Sequence, residues 1–344
     1  MHHTKRNSIL FTGLGICLLV LFVLNISLGS VKIPLQDVFT SLTGGNATKP
    51  AWDYIILNYR LPKAITAMLV GMGLAMGGLL MQTLFRNPLA GPDVLGLSSG
   101  ASLGVAIVIL GSGILPGVAA SFLLSSYSIV LASTAGSFFV LLAVLAVAQR
   151  LRDTMAILII GLMFSSFTGA IVSVLTYFST AEQLQKYTFW ALGSLGNLPW
   201  NDIVILFVVT VIGLVLSALC IKPLDALLLG ERYAKSMGVN FKRTRFIIIL
   251  ATSLLTGCIT AFAGPVLFVG LVVPHMAKLL FKTSNHKTLF WATLLIGGVL
   301  VLLCDIFTQL PGSAFILPIN AITSIIGAPV VVGLLISKRK GIFN

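Results

Sequence analysis

Apolar runs of roughly 17 to 25 residues, the length a helix needs to cross about 30 Å of hydrocarbon, follow one another along almost all of this 344-residue chain. That repetition limits the fold more than any single motif does. Ten segments can be read, to within a few residues, over 9–28, 62–84, 97–111, 126–148, 155–176, 202–221, 246–263, 266–281, 288–305 and 318–336, of which the third and eighth are short and glycine-rich, candidates for tilted, broken or partly re-entrant helices. The links between them are too short for a soluble domain. Only 9% of residues are charged and 57% are hydrophobic, against about 25% charged in soluble domains. The expectation is an all-α integral membrane protein forming a single domain over 1–344, in contact with the lipid bilayer.

The first segment follows Lys5 and Arg6 and could be mistaken for a secretory signal. Its apolar run exceeds the usual 7 to 15 residues or so and no small-x-small cleavage site follows, so it reads as a retained span. With the amino terminus inside, 17 of the 22 basic residues fall in inner links, and only Lys32, Lys49, Arg60, Lys63 and Lys186 fall outside. The positive-inside rule then places both termini in the cytoplasm. It also accounts for a net charge of +13 without nucleic acid, because the basic residues are scattered among inner links. Cys17, Cys220, Cys258 and Cys304 all sit in apolar runs, which reads as packing rather than a disulfide framework or metal cluster.

One stretch interrupts the pattern: "RNPLAGPDVLGLSSGAS", Arg86 to Ser102. Irregular backbone persists at membrane depth only where protein buries it or water lines it. Pro88 and Pro92 remove backbone donors and stop the second helix, Gly91 and Gly96 allow turns, and Gly100, Ala101, Ser102 and Gly104 leave a smooth face for a neighbouring helix. Arg86 and Asp93 are expected to anchor this link at the cytoplasmic interface. The alternative is a tight inner loop with small-residue packing. "AGP" recurs at Ala90–Pro92 and Ala263–Pro265, on opposite sides of the membrane in this topology. An inverted repeat of segments 2–5 and 7–10 would produce that, and so would chance.

The chain lacks the GxxxxGK[ST] phosphate loop. Any ATP that drives transport must bind another subunit. The apolar segments carry no carboxylate pair for an ion-coupled secondary carrier, the rival reading, and no nucleophile–base pair or HExxH motif for an enzyme. Pro274 and His275 form a lone intramembrane pair, followed by Lys278.

Successive stretches then match a known pattern: "RLPKAITAMLVGMGLAMGGLLMQTLFRNPLAGPDVLGLSSGASLG" (Arg60 to Gly104), "WALGSL", "LDALLLGERYAKSMGVN" (Leu224 to Asn240), "GPVLFVGLVVPHMAKLL" (Gly264 to Leu280) and "LPINAITSIIGAP". In order and spacing, the chain from Arg60 onward resembles the FecCD-type ABC permeases, importers of iron-siderophores, haem or cobalamin across the bacterial cytoplasmic membrane. The resemblance implies a type II importer permease fold of about ten transmembrane helices, paired with a second copy or a paralogue. It further implies two cytoplasmic ATPase subunits, which hold the ATP and Mg, and an extracytoplasmic substrate-binding protein. This chain itself would hold no cofactor or metal, and ferric siderophore is the expected cargo.

Within 222–245, Leu224, Leu227 and Leu228 recur at helical spacing, Gly230 breaks the helix, a further turn or two follows, and Gly238 ends it. The resemblance makes this the pair of coupling helices resting on the ATPase, with Leu228, Gly230, Glu231, Ala234 and Gly238 as contact or shaping residues. An interfacial amphipathic helix is the alternative. At the outer side the resemblance assigns binding-protein docking to Arg60 and Lys63, with Gln309 where relatives often carry a third basic residue. The translocation path and gate are expected around Met81, Gln82, Asn87, Pro88, Leu97, Ser98, Ser99 and Ser102.

Overall fold

The computed structural model describes residues 2–111, 125–148, 154–196, 198–309 and 316–340. Among these the chain is helical apart from its links and one isolated antiparallel bridge between Gln309 and Ile316. Each of the ten apolar segments is a helix. Seven are long and apolar enough to cross a membrane: α1 (His2–Ser27), α4 (Leu61–Leu84), α6 (Ser126–Ala148), α7 (Thr154–Tyr177), α9 (Trp200–Leu219), α12 (Phe241–Ala263) and α14 (His286–Thr308). Three have shorter apolar stretches: α5 (Leu97–Gly111), α13 (Val269–Phe281) and α15 (Ile319–Lys340). Large apolar side chains such as Ile9, Leu131, Phe167 and Val204 lie on the outside of the bundle, the arrangement that suits a lipid solvent.

Smaller helices occupy the links: α2 (Leu35–Leu42), α3 (Pro50–Ile55), α8 (Ala181–Leu192), α10 (Ile221–Leu228) and α11 (Glu231–Ser236). Two of them extend the sequence reading. Pro62 stands where the second segment was expected to begin, yet helical structure runs unbroken from Pro50 to Leu84. A π-helical turn over Ile56–Arg60 joins α3 to α4, with Leu61 N–H bonding Ile56 O, and so delivers Pro62, which has no donor, into the first turn of α4. Helix α8 starts at a capping box in which Thr180 and Gln183 satisfy each other's backbone donors. The S/T-x-x-E/Q spacing that signals such a start is present in the sequence.

The contacts obey a two-fold exchange. Helix α4 packs on α14 as α12 packs on α6, α4 on α13 as α12 on α5, and α5 on α7 as α13 on α15. Exchanging α4–α7 with α12–α15 maps each pair onto its counterpart. The two "AGP" tripeptides stand at corresponding places, each just before a short helix. Chance recurrence would not carry this matching of partners.

At about 1.5 Å per residue, the 15 residues of α5 and 13 of α13 span only about 22 and 20 Å, less than the roughly 30 Å of hydrocarbon. Irregular backbone, residues 85–96 and 264–268, leads into each. The backbones meet closely there: a Cβ added to Gly78 of α4 would lie 1.7 Å from the carbonyl oxygen of Gly270 in α13. Only glycine allows that approach.

Candidate functional site

Three polar clusters, at the meeting of the two breaks, at the coupling segment and at the far end of α4, hold the residues that the sequence singles out.

At the first, Asp93 departs from its expected place. Instead of anchoring a cytoplasmic loop, its carboxylate turns inward, accepting from the backbone N–H of Phe268 at 3.1 Å and from the hydroxyl of Ser98. Phe268 precedes α13 with a left-handed φ of 67°, and Ser98 lies in the first turn of α5. A single acid therefore links the starts of both short helices, through a backbone N–H before α13 and a side-chain hydroxyl in α5. Several first-turn N–H groups of the two helices are met instead by nearby backbone carbonyls, Leu97 by Pro92 O, Gly100 by Gly96 O and Val269 by Leu267 O.

Gln82, in the last turn of α4, ties that helix to α13. Its side-chain amide donates to Leu271 O at 2.9 Å, and its oxygen accepts from Lys278 Nζ at 3.3 Å. Lys278 thus keeps an inward-facing charge one turn beyond Pro274 and His275. Of the expected path residues, Met81 and Leu97 are fully buried within the subunit, and Gln82, Asn87 and Ser98 nearly so. Pro88, Ser99 and Ser102 remain partly exposed. Gly96 has the positive φ (80°) expected of it, whereas Gly91 is needed for space, since a Cβ there would sit 3.3 Å from that of Leu271.

Segment 222–245 has the helix and turn boundaries read from the sequence. Helix α10 ends at Leu228, Gly230 turns the chain with φ 121°, α11 covers Glu231–Ser236, and Gly238 ends it with φ 81°. Leu224, Leu227 and Ala234 face inward, while Leu228, Leu229, Tyr233 and Met237 are exposed. The side chain of Glu231 lies outside the described residues. Two contacts that the sequence does not announce tie the segment to the bundle: Arg86 donates to Leu227 O at 2.7 Å, and Asp225 meets His286 at 2.6 Å.

At the far end of α4, Arg60 and Lys63 were expected to face outward. Both are buried. Arg60 donates to the carbonyls of Ile26 (3.0 Å), Ser27 (2.7 Å) and Val31, closing the end of α1, whose last carbonyls lack intrahelical donors. Lys63 pairs with Asp305 at 3.0 Å, and Asn25 donates to the same carboxylate at 2.7 Å. Losing one member of a buried pair costs roughly 3–5 kcal/mol, so these charges hold α1, α4 and α14 in register. Arg60, Lys63 and Gln309 nonetheless converge, lining a depression of about 520 Å³ together with Phe189, Asp305 and Pro318.

Among the described residues no group of three or more His, Cys, Asp or Glu side chains could hold a metal. Cys220, Cys258 and Cys304 are buried, as packing requires, while Cys17 is exposed on α1.

A bundle of apolar helices, two of them starting at interior breaks, with an exposed helical pair docked on one end, has the construction of a transporter's membrane subunit. The FecCD transport family model matches residues 17–337, and the chain belongs to that family. It is 31% identical to the vitamin B12 import system permease protein BtuC of Citrobacter koseri, over 98% of this chain and 96% of that one. It is 32% identical to the hemin transport system permease protein HmuU of Yersinia pestis, over 95% and 96% respectively. Among solved structures, a metal-chelate type ABC transporter in an inward-facing conformation superposes with a TM-score of 0.79 at 29% identity, covering 96% of this chain and 99% of that one. The protein is a permease subunit of an ABC importer.

Proposed function

We propose that this permease carries a bulky metal chelate, ferric siderophore foremost, inward across the bacterial cytoplasmic membrane. Ten helices span the bilayer with both termini in the cytoplasm, and a second copy or a paralogue completes the path between the two subunits. Two cytoplasmic ATPase subunits supply ATP and Mg, and an extracytoplasmic binding protein delivers the cargo to the end of the bundle that bears Arg60, Lys63 and Gln309. The related permeases named for vitamin B12 and hemin import support a large metal-bearing cargo.

One observation carries the assignment of the ATPase contact. Leu228, Leu229, Tyr233 and Met237 are exposed on two short helices and the residues that end them, between basic residues, and an apolar cluster of that kind fits a protein partner. Leu229→Asp and Gly238→Trp should each weaken binding of the cognate ATPase by at least about tenfold while the chain still accumulates in the membrane. Unchanged ATPase binding in both variants would refute the assignment. Mass spectrometry of the ligand carried by the cognate binding protein tests the cargo: a ferric siderophore is expected, and an iron-free ligand would contradict it.

A further inference from the structure

His286 opens α14 and is almost wholly buried. Its backbone N–H donates to Asp225 Oδ1 at 2.8 Å, and its ring Nδ1 meets the same oxygen at 2.6 Å. On the other side of the ring, Nε2 lies 2.9 Å from Thr83 Oγ1, which lies 3.0 Å from Leu79 O. A carboxylate only accepts, so Nδ1 carries a proton. When the ring is neutral, Nε2 takes the one Thr83 hydroxyl proton in place of Leu79 O; when the ring is charged, Nε2 donates to Thr83 Oγ1 and the hydroxyl donates to Leu79 O. The ring bridges Asp225 and Thr83 in either state.

Helix capping does not explain this arrangement. Asn285 already caps α14 by accepting from Thr288 N at 3.2 Å, and a cap has no need of a buried ring reaching across to α4. What the ring does is join α10 to the last turn of α4. A second link joins the same two helices, from Arg86 just beyond α4 to the carbonyl of Leu227 in α10. Next to Thr83 in sequence stands Gln82, whose amide holds α13 through Leu271 O.

We propose that Asp225, His286, Thr83 and Arg86 form a latch that passes displacement of α10 to the end of α4, and through Gln82 to α13 at the meeting of the two breaks. This rests on the reading of 222–245 as the ATPase-contacting segment. Thr83 and His286 are positioning residues in this scheme and touch neither cargo nor nucleotide.

The test uses the complete transporter in lipid vesicles with its own ATPase and ligand-loaded binding protein, and reads the ratio of binding-protein-stimulated to basal ATP hydrolysis. Thr83→Val keeps the buried shape and removes the hydroxyl, whereas Thr83→Ser keeps the hydroxyl. Thr83→Val should lower the stimulation ratio at least about fivefold, within the usual range of coupling between sites, with basal hydrolysis and complex assembly retained. Thr83→Ser should stay close to the parent. His286→Asn, which preserves a donor toward Asp225 but cannot reach Thr83, should behave like Thr83→Val. Arg86→Ala alters an exposed side chain, leaves no cavity, and should weaken stimulation by a smaller factor. A parental ratio in Thr83→Val, His286→Asn and Arg86→Ala would overturn the latch. If Gly238→Trp weakens ATPase binding while these variants remain stimulated, the latch alone fails; if Gly238→Trp and Leu229→Asp leave ATPase binding intact, the coupling assignment beneath it fails.

Discussion

The two breaks before α5 and α13 share a tripeptide and a place in the pseudo-symmetric fold, yet they are built differently. The first runs over residues 85–96 and contains both Arg86 and Asp93; the second needs only 264–268 and has no charged residue. Arg86 reaches α10 and Asp93 reaches the second break. The longer break thus provides the polar connections for both, while the shorter one contributes a backbone N–H and close packing. Duplicated architecture does not require duplicated chemistry: one carboxylate, held by the Ser98 hydroxyl and the Phe268 N–H, links the two halves.

The largest effect expected from testing that asymmetry comes from the packing that both halves share. Gly78→Leu would drive a side chain into the Gly270 carbonyl, at a place where backbone meets backbone and no side chain can yield. The cost should exceed the roughly 1–3 kcal/mol usual for overpacking, and thermal unfolding in detergent should show a large loss of stability or no folded protein. A stable Gly78→Leu variant would mean that α4 and α13 do not approach this closely.

Asp93→Ala comes next. It leaves the Phe268 N–H without its acceptor, a loss of roughly 1–3 kcal/mol for a buried group, although no residue of the second break is altered. Amide exchange at Phe268 should accelerate, with Asp93→Asn affected less because it retains an acceptor oxygen. Equal exchange in the parent and Asp93→Ala would show that each break stands on its own.

The smallest effect belongs to Gly96→Ala. A φ of 80° disfavours any residue with a Cβ by about 1 kcal/mol, and the added methyl would meet Gly161 O at 3.0 Å. A modest fall in melting temperature is expected, smaller than for Asp93→Ala. The reverse order would place the strain of the first break in its backbone rather than in its carboxylate.

Much of this was legible in the sequence. Apolar runs located all ten helices because hydropathy reports what a lipid solvent demands, and Gly230 and Gly238 punctuated the coupling segment because positive φ selects glycine. The paired tripeptide signalled the repeat, though three common residues could not establish it. What escaped is non-local. Whether Arg60 faces a partner protein or the carbonyls at the end of α1 depends on the fold that brings it to Ser27, 33 positions away. The His286–Asp225 contact spans 61 positions, and no periodicity indicates it. Met81 and Leu97 stand beside a helix break, a sound cue for function, but adjacency in sequence does not reveal which side faces the subunit's own core.

The account depends most on which end of the bundle faces the cytoplasm. Single cysteines at Asn46 and Glu182, and at Ser236 and Ser284, occupy exposed positions. In intact cells, a membrane-impermeant maleimide should label positions 46 and 182 and spare 236 and 284 until the membrane is opened. Labelling of 236 from outside would put the coupling segment on the wrong side of the membrane to meet an ATPase and would contradict the mechanism at its root.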